Sequence, residues 1–528
     1  MTSITLRFKM RFWFAVASCW AMDHATAQQQ FLQFDKTYGG LNDESCADMI
    51  PGSDGGFLLV GSTGSYGPGA ADGNENGYVV KVDAQGEAEW QFALGGGGQD
   101  FFGGAAQTST GDYLIMGQRV QSENMVLVRV APDGMVLWCK EIGSVDRSEA
   151  ADIILALGQD EFVVVGARGN NVFALWIDAD GDIQQAAEFA CAPSIQARGV
   201  AIAADGTLLI SGGYTNLPFQ HALLLKVAMD GALLWGRIYQ QLEHSSYHHD
   251  LLPTQDGGCF VAGTGGDSDA TITRIDASGN VVWRRGYAGS DRNQCRNLLQ
   301  YGTDRLIATM YMFSEVDFQA PSTLLLLDTL GNLIDQVTFG PTSDDLYSLP
   351  NSSATDTGGG CLSAGQLRTD TSNSDMRLIR IPVADDNIDG SCSAISLTVQ
   401  EISIPPLTFG PIITALDPPV LTSATLSWSP VVVTGSQTIC SNVGIGDAPI
   451  TAMARCFPNP ARDVLHFDLP LASLPLRATI SDATGRSCSA GPLSAQNDLV
   501  IGHLSLGVYH CRLECANGER FALRFVVE

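Results

Sequence analysis

The sequence predicts an all-β protein, namely a seven-bladed β-propeller closed by its own N-terminal strand and followed by a small C-terminal β-sandwich. Three observations support this prediction. A glycine turn recurs about every fifty residues, each interval holds four short strand-like runs, and the N-terminal segment reads like the last strand of such a unit. Four-stranded antiparallel units repeated around an axis are typical of β-propellers. With 57 Gly and 16% charged residues, the composition suits a turn-rich β protein.

The recurring turn places a glycine between the third and fourth strands of each unit. A two-residue hairpin turn needs a positive φ at a central position, which glycine adopts without steric cost. The six turn glycines are Gly86, Gly134, Gly181, Gly231, Gly279 and Gly331. A tryptophan follows four residues later in four units, and Gln185 and Asp335 take its place in the third and sixth. The tryptophans are Trp90, Trp138, Trp235 and Trp283.

The seventh unit contains only three strand-like runs and ends near Val383 without a glycine turn. Residues 31–40 resemble the last strand of a unit, as seen in residues 90–96. We therefore expect the segment Phe31–Tyr38 to pair beside Met376–Val383 and complete the seventh blade. Such closure would remove the open sheet edges that a linear array exposes.

The Asp-x-x-Gly-x-x-x-Trp pattern resembles the tryptophan-docking motif of quinoprotein-type propellers. This resemblance implies that each indole packs between neighbouring blades. Quinoprotein dehydrogenases also carry two adjacent cysteines beside their cofactor, and no Cys-Cys occurs in this sequence. The resemblance is therefore limited to architecture, and no cofactor is predicted from it.

The chain begins with a segment that has the features of a secretory signal. Arg7, Lys9 and Arg11 precede an apolar run over residues 12–22, and small residues follow before Gln28. The apolar run is too short to cross a bilayer, and no transmembrane segment is predicted elsewhere. The predicted organisation is a signal peptide at 1–27, the propeller at 28–386, a Pro-rich β linker region at 387–451 and a C-terminal domain at 452–528.

The C-terminal domain opens with Phe457, Pro458, Asn459 and Pro460, and a later strand contains Gly507 and Tyr509. It resembles the type A C-terminal sorting domain of type IX secretion cargo in the Bacteroidetes. The resemblance implies that the type IX translocon is a partner and that the protein is secreted or attached to the outer membrane at the cell surface. The alternative is an ordinary immunoglobulin-like adhesive module.

Small residues, most of them polar, recur where the innermost strand of each blade enters from the face with variable loops. Aligned on the apolar stretch that follows, they are Asp48, Gly103, Asp152, Gly199, Asp250, Asn297 and Ser348. Three carboxylates there would suit Ca²⁺, although they come from separate blades. The favoured interpretation is that these short side chains bond backbone groups of a neighbouring blade, so no metal site is predicted.

The channel mouth is the predicted ligand site because variable loops on a rigid scaffold commonly carry binding residues. The candidate residues are Asp48, Asp152, Arg198, Tyr247, His248, His249, Asp250 and Arg296. The predicted function is binding or adhesion to a glycan or protein ligand, without catalysis. The alternatives are an extracellular lyase or hydrolase acting on carbohydrate, and a non-catalytic structural surface protein. A formal charge of −28 argues against nucleic acid or anionic membrane as partners.

Overall fold

A computed structural model describes residues 33–527 with gaps. The residues outside it are 1–32, 144–148, 159, 242–243, 267–268, 316–319, 341–347, 356–359, 369–372, 385, 389–393, 396–398, 403–406, 417–421, 427–430, 434–436, 443–454, 458–461, 469–474, 483–486, 492–497, 502–503, 516–519 and 528. The predicted signal peptide lies outside the described residues. Within them, the one helical element is a single 3₁₀ turn at Ala70–Asp72, and no helix has the length and apolar character needed to span a membrane.

Seven sheets form the blades of a β-propeller, as the sequence predicts. The strands of blades 1 to 3 are β2 (Glu44–Pro51), β3 (Phe57–Thr63), β4 (Asn76–Val82) and β5 (Ala88–Leu94); β6 (Asp100–Gln107), β7 (Tyr113–Arg119), β8 (Asn124–Val130) and β9 (Val136–Gly143); and β10 (Glu149–Gly158), β11 (Glu161–Arg168), β12 (Asn171–Asp178) and β13 (Ile183–Ala190). They follow β1 (Gln33–Tyr38), the first described strand of the chain.

Blades 4 to 6 repeat this antiparallel order. Their strands are β14 (Ser194–Ile202), β15 (Leu208–Asn216), β16 (Phe219–Val227) and β17 (Leu233–Gln240); β18 (Tyr247–Pro253), β19 (Cys259–Gly265), β20 (Asp269–Ile275) and β21 (Val281–Ala288); and β22 (Arg292–Tyr301), β23 (Arg305–Phe313), β24 (Ser322–Asp328) and β25 (Leu333–Phe339). Blade 7 contains β26 (Ser348–Thr355), β27 (Gly360–Arg368) and β28 (Ser374–Ala384), and the short β29 (Asn387–Ile388) pairs with the end of β28.

The N-terminal strand closes the ring. β1 runs antiparallel to β28, with Phe34 opposite Arg380 and Tyr38 opposite Met376. All six residues of β1 are buried, including Asp35 and Lys36. The predicted pairing is thereby confirmed for the described residues of this segment.

The region predicted as a Pro-rich linker supplies a fifth, outermost strand to every blade. We call residues 394–442 the belt. Its strands pair antiparallel with the fourth strands of blades 6, 5, 4, 3, 2 and 1 in turn, and finally with β1 in blade 7. They are β30 (Ala394–Ile395), β31 (Gln400–Ile402), β32 (Thr408–Phe409), β33 (Thr414–Leu416), β34 (Thr422–Leu426), β35 (Val431–Val432) and β36 (Gln437–Asn442). The belt thus runs around the propeller against the order of the blades.

The belt also contributes apolar side chains where it crosses from one blade to the next. Val399 packs into the core between blades 5 and 6, Ile413 into that between blades 3 and 4, and Val433 into that between blades 7 and 1. Leu407 packs between blades 4 and 5. The belt covers the fourth strands of the blades. Its own strands are short and interrupted by prolines, and such edge strands resist pairing with other chains.

The turn glycines and tryptophans connect neighbouring blades. All six glycines have φ between +73° and +87°. Each turn is a type I turn closed by a glycine bulge, since Gly86 N–H donates to Asp83 O and Asp83 N–H to Glu87 O; the expected two-residue loop is therefore wrong in length. A Cβ on Gly181 would lie 2.7 Å from Trp138, and a Cβ on Gly331 would lie 2.8 Å from Trp283. Each indole thus packs on the hairpin of the following blade.

Blade 6 departs from this pattern for a structural reason. The ring closes between β28 and β1, so blade 7 has no glycine hairpin on which an aromatic side chain of blade 6 would pack. Asp335 occupies the tryptophan position there, and its Oδ2 accepts a hydrogen bond of 2.7 Å from Ile388 N–H. Closure of blade 7 by β1, without a hairpin after β28, thereby accounts for the aspartate in the sixth unit.

The C-terminal domain forms two small sheets around one core. The strands are β37 (Arg455–Phe457), β38 (Val464–Asp468), β39 (Pro475–Asp482), β40 (Ser487–Gly491), β41 (Asp498–Val500), β42 (Gly507–Cys515) and β43 (Arg520–Val527). One sheet has the order β37-β38-β41 and the other β40-β39-β42-β43. Leu465, Ile480 and Tyr509 are among the buried residues between them. The final strand, β43, lies at a sheet edge.

Candidate ligand-binding cavity

The first strands of the seven blades contact one another in a closed ring around the propeller axis. Each of them contains a register shift at about the same depth, and in six blades a single residue is left unpaired against the second strand. These residues are Ala47, Gly103, Arg198, His249, Arg296 and Asn351. In blade 3 the shift spans residues 150–152. A bulge redirects a side chain away from the regular alternation of a strand.

A cavity of about 330 Å³ lies at the centre of this ring. Bulged residues and the residues that follow them form most of its wall. The complete lining is Ala47, Asp48, Arg198, Gly199, Val200, His249, Asp250, Arg296, Asn297, Asn351 and Ser352. We call this the central cavity. Five of the eight residues predicted at the channel mouth line it: Asp48, Arg198, His249, Asp250 and Arg296.

The two described carboxylates of the central cavity bond to backbone groups of adjacent blades. Asp48 Oδ2 accepts from Ala105 N–H of blade 2 at 3.1 Å, and Asp250 Oδ2 accepts from Leu298 N–H of blade 6 at 2.9 Å. Asp48 Oδ1 also accepts from Ser352 Oγ–H of blade 7 at 2.9 Å. This is the arrangement that the sequence favoured over a cation site. The carboxylates hold successive blades at a fixed distance around the axis.

The environment of Asp250 stabilises its protonated form. Burial raises its pKa to about 6, and the charge of Asp48 raises it as well, although the N–H donors of Leu298 and Leu251 act in the opposite direction. A carboxyl group removed from water favours the neutral state because the low dielectric penalises charge. Asp250 is therefore partly protonated in mildly acidic solution.

Three consecutive blades place the basic side chains of the cavity side by side. Arg198 of blade 4 is exposed, His249 of blade 5 is buried and Arg296 of blade 6 is partly buried. Burial lowers the pKa of His249 well below its usual value, and the charges of Arg296 and Arg198 lower it further, so this imidazole is neutral. Burial and the nearby Arg198 also lower the pKa of Arg296, while Tyr247 acts in the opposite direction. Two guanidinium groups thus flank a neutral histidine.

Tyr247 and His248 support the cavity wall but do not line it. The Tyr247 ring meets the His249 ring edge-on at 4.7 Å between centroids, and the Arg198 guanidinium lies 5.9 Å from the Tyr247 ring centre. Gln294 Nε2–H donates to the Tyr247 hydroxyl at 3.0 Å. His248 is buried, with Nδ1 3.1 Å from Leu223 O, and burial lowers its pKa to about 3. His248 is accordingly a packing residue between blades 4 and 5.

The alignment of inner strands from sequence is wrong in blades 2 and 7, and in blade 3 the residue opposite Val165 is Ile153 rather than Asp152. The positions equivalent to Asp48 are Gly104 rather than Gly103 in blade 2, and Ser352 rather than Ser348 in blade 7. Adjacent glycines left blade 2 ambiguous, and the inner strand of blade 7 has too few apolar residues for alignment. Ser348 instead accepts a hydrogen bond from Arg377 at the closing seam. Asp152 lies on β10, and its side chain is outside the described part of the structure.

Sequence reasoning did not identify Ala47, Asn351 or Ser352 as lining residues. Asn351 Nδ2–H donates to Cys46 O at 2.7 Å, which connects blade 7 with blade 1. The signal that would have found them is the bulge itself, since each lies at or beside the position equivalent to His249. In the described part of the chain, no group of three or more His, Cys, Asp or Glu side chains is arranged to bind a metal ion.

The residues of the C-terminal motif are only partly described. Phe457 ends β37, whereas Pro458, Asn459 and Pro460 lie outside the described residues. Gly507 begins β42, and the Tyr509 hydroxyl donates to Ser505 O at 2.9 Å. Tyr509 is buried in the core between the two sheets. It therefore contributes to the fold of this domain.

Comparison with known proteins returns structural neighbours of low similarity. A protein of unknown function from Dyadobacter fermentans has 11% identity and a TM-score of 0.42, covering 66% of this chain and 98% of that one. A protein from Lactobacillus plantarum has 12% identity and a TM-score of 0.42, covering 57% and 94%. A protein of unknown function from Bacteroides caccae has 14% identity and a TM-score of 0.32, covering 48% and 94%. No family model and no curated protein matches the sequence.

Proposed function

We propose that this chain is an exported binding protein that holds a glycan or protein ligand at the central cavity of its propeller. The observation that carries the proposal is the meeting of side chains from blades 1, 4, 5, 6 and 7 at one polar cavity. A ring held by hydrogen bonds between blades keeps those side chains in place before a ligand arrives. Such preorganisation lowers the entropic cost of binding.

Binding is favoured over catalysis by the bonding of the candidate acid–base groups. Among the described residues, no hydrogen bond joins any two of Tyr247, His248, His249 and Asp250. Both oxygens of Asp250 already accept from backbone N–H groups. A general acid or base needs a free path to a substrate proton. The raised pKa of Asp250 is the single feature that supports the alternative of a carbohydrate lyase or hydrolase.

A glycan and peptide array combined with a product assay tests this proposal. The chain from Gln28 to Glu528 is used, because the belt belongs to the blades and removing it would expose their fourth strands. Retention of a ligand without product supports a binding protein, and release of product supports the enzyme. If the chain neither retains a ligand nor releases a product, the proposal is contradicted and the structural surface protein remains as the function.

We further propose that residues 452–528 direct export through the type IX translocon to the medium or the outer cell surface. The edge position of β43 supports this proposal, because an edge strand is suited to recognition by strand addition. The test is a reporter protein fused to residues 443–528 in a Bacteroidetes host that has this translocon. We expect the reporter outside the cell, and its retention in the periplasm when residues 457–460 are replaced by alanine. Equal export of both fusions would contradict the proposal.

A further inference from the structure

Among the six bulged residues that the structure describes, those of three consecutive blades are basic. Arg198, His249 and Arg296 occupy this position in blades 4, 5 and 6. Ala47 and Gly103 occupy it in blades 1 and 2. The three basic side chains therefore lie together on one side of the axis, and the two smallest residues lie in blades 1 and 2. Of the small residues, Ala47 lines the central cavity together with the three basic side chains.

Neither arginine of the central cavity has a carboxylate partner among the described residues. Most other described arginines do, for example Arg377 with Asp35 and Arg129 with Asp112. Arg296 is partly buried, and its buried Nε–H has no hydrogen-bond partner within the described structure. A buried polar group without a partner is costly, and a bound ligand that accepts its hydrogen bond would remove that cost.

The aspartates of the cavity do not neutralise these arginines directly. The oxygens of Asp250 accept from the backbone N–H groups of Leu251 and Leu298. The oxygens of Asp48 accept from the backbone N–H groups of Met49 and Ala105 and from the hydroxyl group of Ser352. Both carboxylates are thus engaged by the ring itself. Within the described residues, the guanidinium N–H groups of Arg198 and Arg296 are therefore available to an anion.

Resting on the proposed binding function, we propose that the ligand carries an anionic sugar residue whose oxyanion binds between Arg198 and Arg296. The planar guanidinium fork matches the oxygens of a carboxylate or sulfate group. The cavity volume lies near the lower end of the range of about 300–1,000 Å³ for ligand sites, which suits one sugar ring. Asn297, Asn351 and Ser352 line it with polar atoms that are suited to sugar hydroxyl groups. A uronic acid and a sulfated sugar share this chemistry.

Isothermal titration with matched oligosaccharide pairs tests the inference. The acidic members are oligomers of galacturonate, glucuronate and mannuronate and a galactan sulfated at O6, and the neutral members are the corresponding uncharged oligomers. We expect an acidic member to bind at least about tenfold more tightly than its neutral partner, because charge-assisted hydrogen bonds are about twice as strong as neutral ones. Comparison of the uronates with the sulfated galactan distinguishes the two kinds of oxyanion.

Single variants then assign the binding to the arginines. R198Q and R296Q should each weaken binding of the acidic member by about tenfold to a hundredfold, since each removes hydrogen bonds to a charged group. R292Q is the matched control, because Arg292 lies on the same strand as Arg296 and is exposed outside the cavity. R292Q should bind like the unmodified chain. R198Q carries the test if R296Q fails to fold, since Arg198 is exposed.

The outcomes separate this inference from the proposed function. Equal binding of acidic and neutral members, or full affinity in R198Q, would overturn the anionic-sugar inference and leave the binding function intact. Binding of a peptide in place of every saccharide would do the same. Failure of the chain to bind any saccharide or peptide would overturn both.

Discussion

Replacement of Asp35 by alanine should destabilise the propeller by about 3–5 kcal/mol. Asp35 on β1 and Arg377 on β28 form the ion pair that joins the first and last strands of the closing blade. Arg377 Nε–H donates to Asp35 Oδ1 at 2.8 Å and Nη2–H donates to Oδ2 at 2.6 Å. The side chains are 0% exposed for Asp35 and 5% for Arg377. Removal of the carboxylate leaves a guanidinium charge buried without its partner, and this is the source of the penalty.

The expected loss of stability in D35A comes from the buried, unpaired charge of Arg377 rather than from the strength of the ion pair itself. Replacement of both partners by apolar residues of similar size is commonly neutral or stabilising, because the cost of desolvating two charges disappears with them. D35V/R377M should therefore be much more stable than D35A. The exposed pair of Arg292 and Glu315, whose side chains are 59% and 56% exposed, is the control. E315A should cost at most about 1 kcal/mol, as is usual for surface ion pairs.

Urea denaturation followed by circular dichroism measures these differences, because urea leaves ion pairs unscreened. The midpoint and slope of the propeller transition are compared among the unmodified chain, D35A, D35V/R377M and E315A. If D35A is no less stable than E315A, the N-terminal strand does not close the ring through this pair. A double variant as unstable as D35A would show that the loss comes from packing rather than from an unpaired charge.

Three further predictions address the belt, the blade contacts and the cavity. I413A should lower the free energy of unfolding in urea by about 2–5 kcal/mol, because Ile413 is 5% exposed in the core between blades 3 and 4. The control I412A should change it by less than about 0.5 kcal/mol, because Ile412 is 85% exposed. Equal losses would contradict the role of the belt. G181A should lower stability by about 1–3 kcal/mol more than G206A in the same assay. Both glycines have a positive φ, but only Gly181 packs against Trp138. Equal effects would argue against contact between blades through the indole. The difference in the free energy of unfolding between the unmodified chain and D250N should shift by about 2 kcal/mol between pH 4.5 and pH 7 in favour of D250N. A pKa raised to about 6 in the folded state stabilises the fold below the unfolded pKa, and this contribution is lost as the pH rises through 6. A difference independent of pH would refute the raised pKa of Asp250.

The amino-acid sequence by itself determined the blade count and the closure of the ring. Both depend on local signals, namely a glycine at each hairpin and short β-branched runs at a regular interval. The closing strand was recognisable because Phe34 and Tyr38 repeat the local pattern of a fourth strand. Five of the candidate residues were found at the central cavity for the same reason, since equivalent positions in repeated units lie at equivalent places around an axis.

Only the tertiary structure decided the course of the belt and the composition of the cavity wall. Short belt strands pair with partners far away in the sequence, such as Thr414 with Ala190 of blade 3, so no local period records the pairing. The inner bulges depend in the same way on how each first strand aligns with the second, and a shift of one residue moves a side chain from the wall to the interior. Arg198 and Arg296 were visible in the sequence as charges, but their lack of carboxylate partners among the described residues is a property of the folded ring.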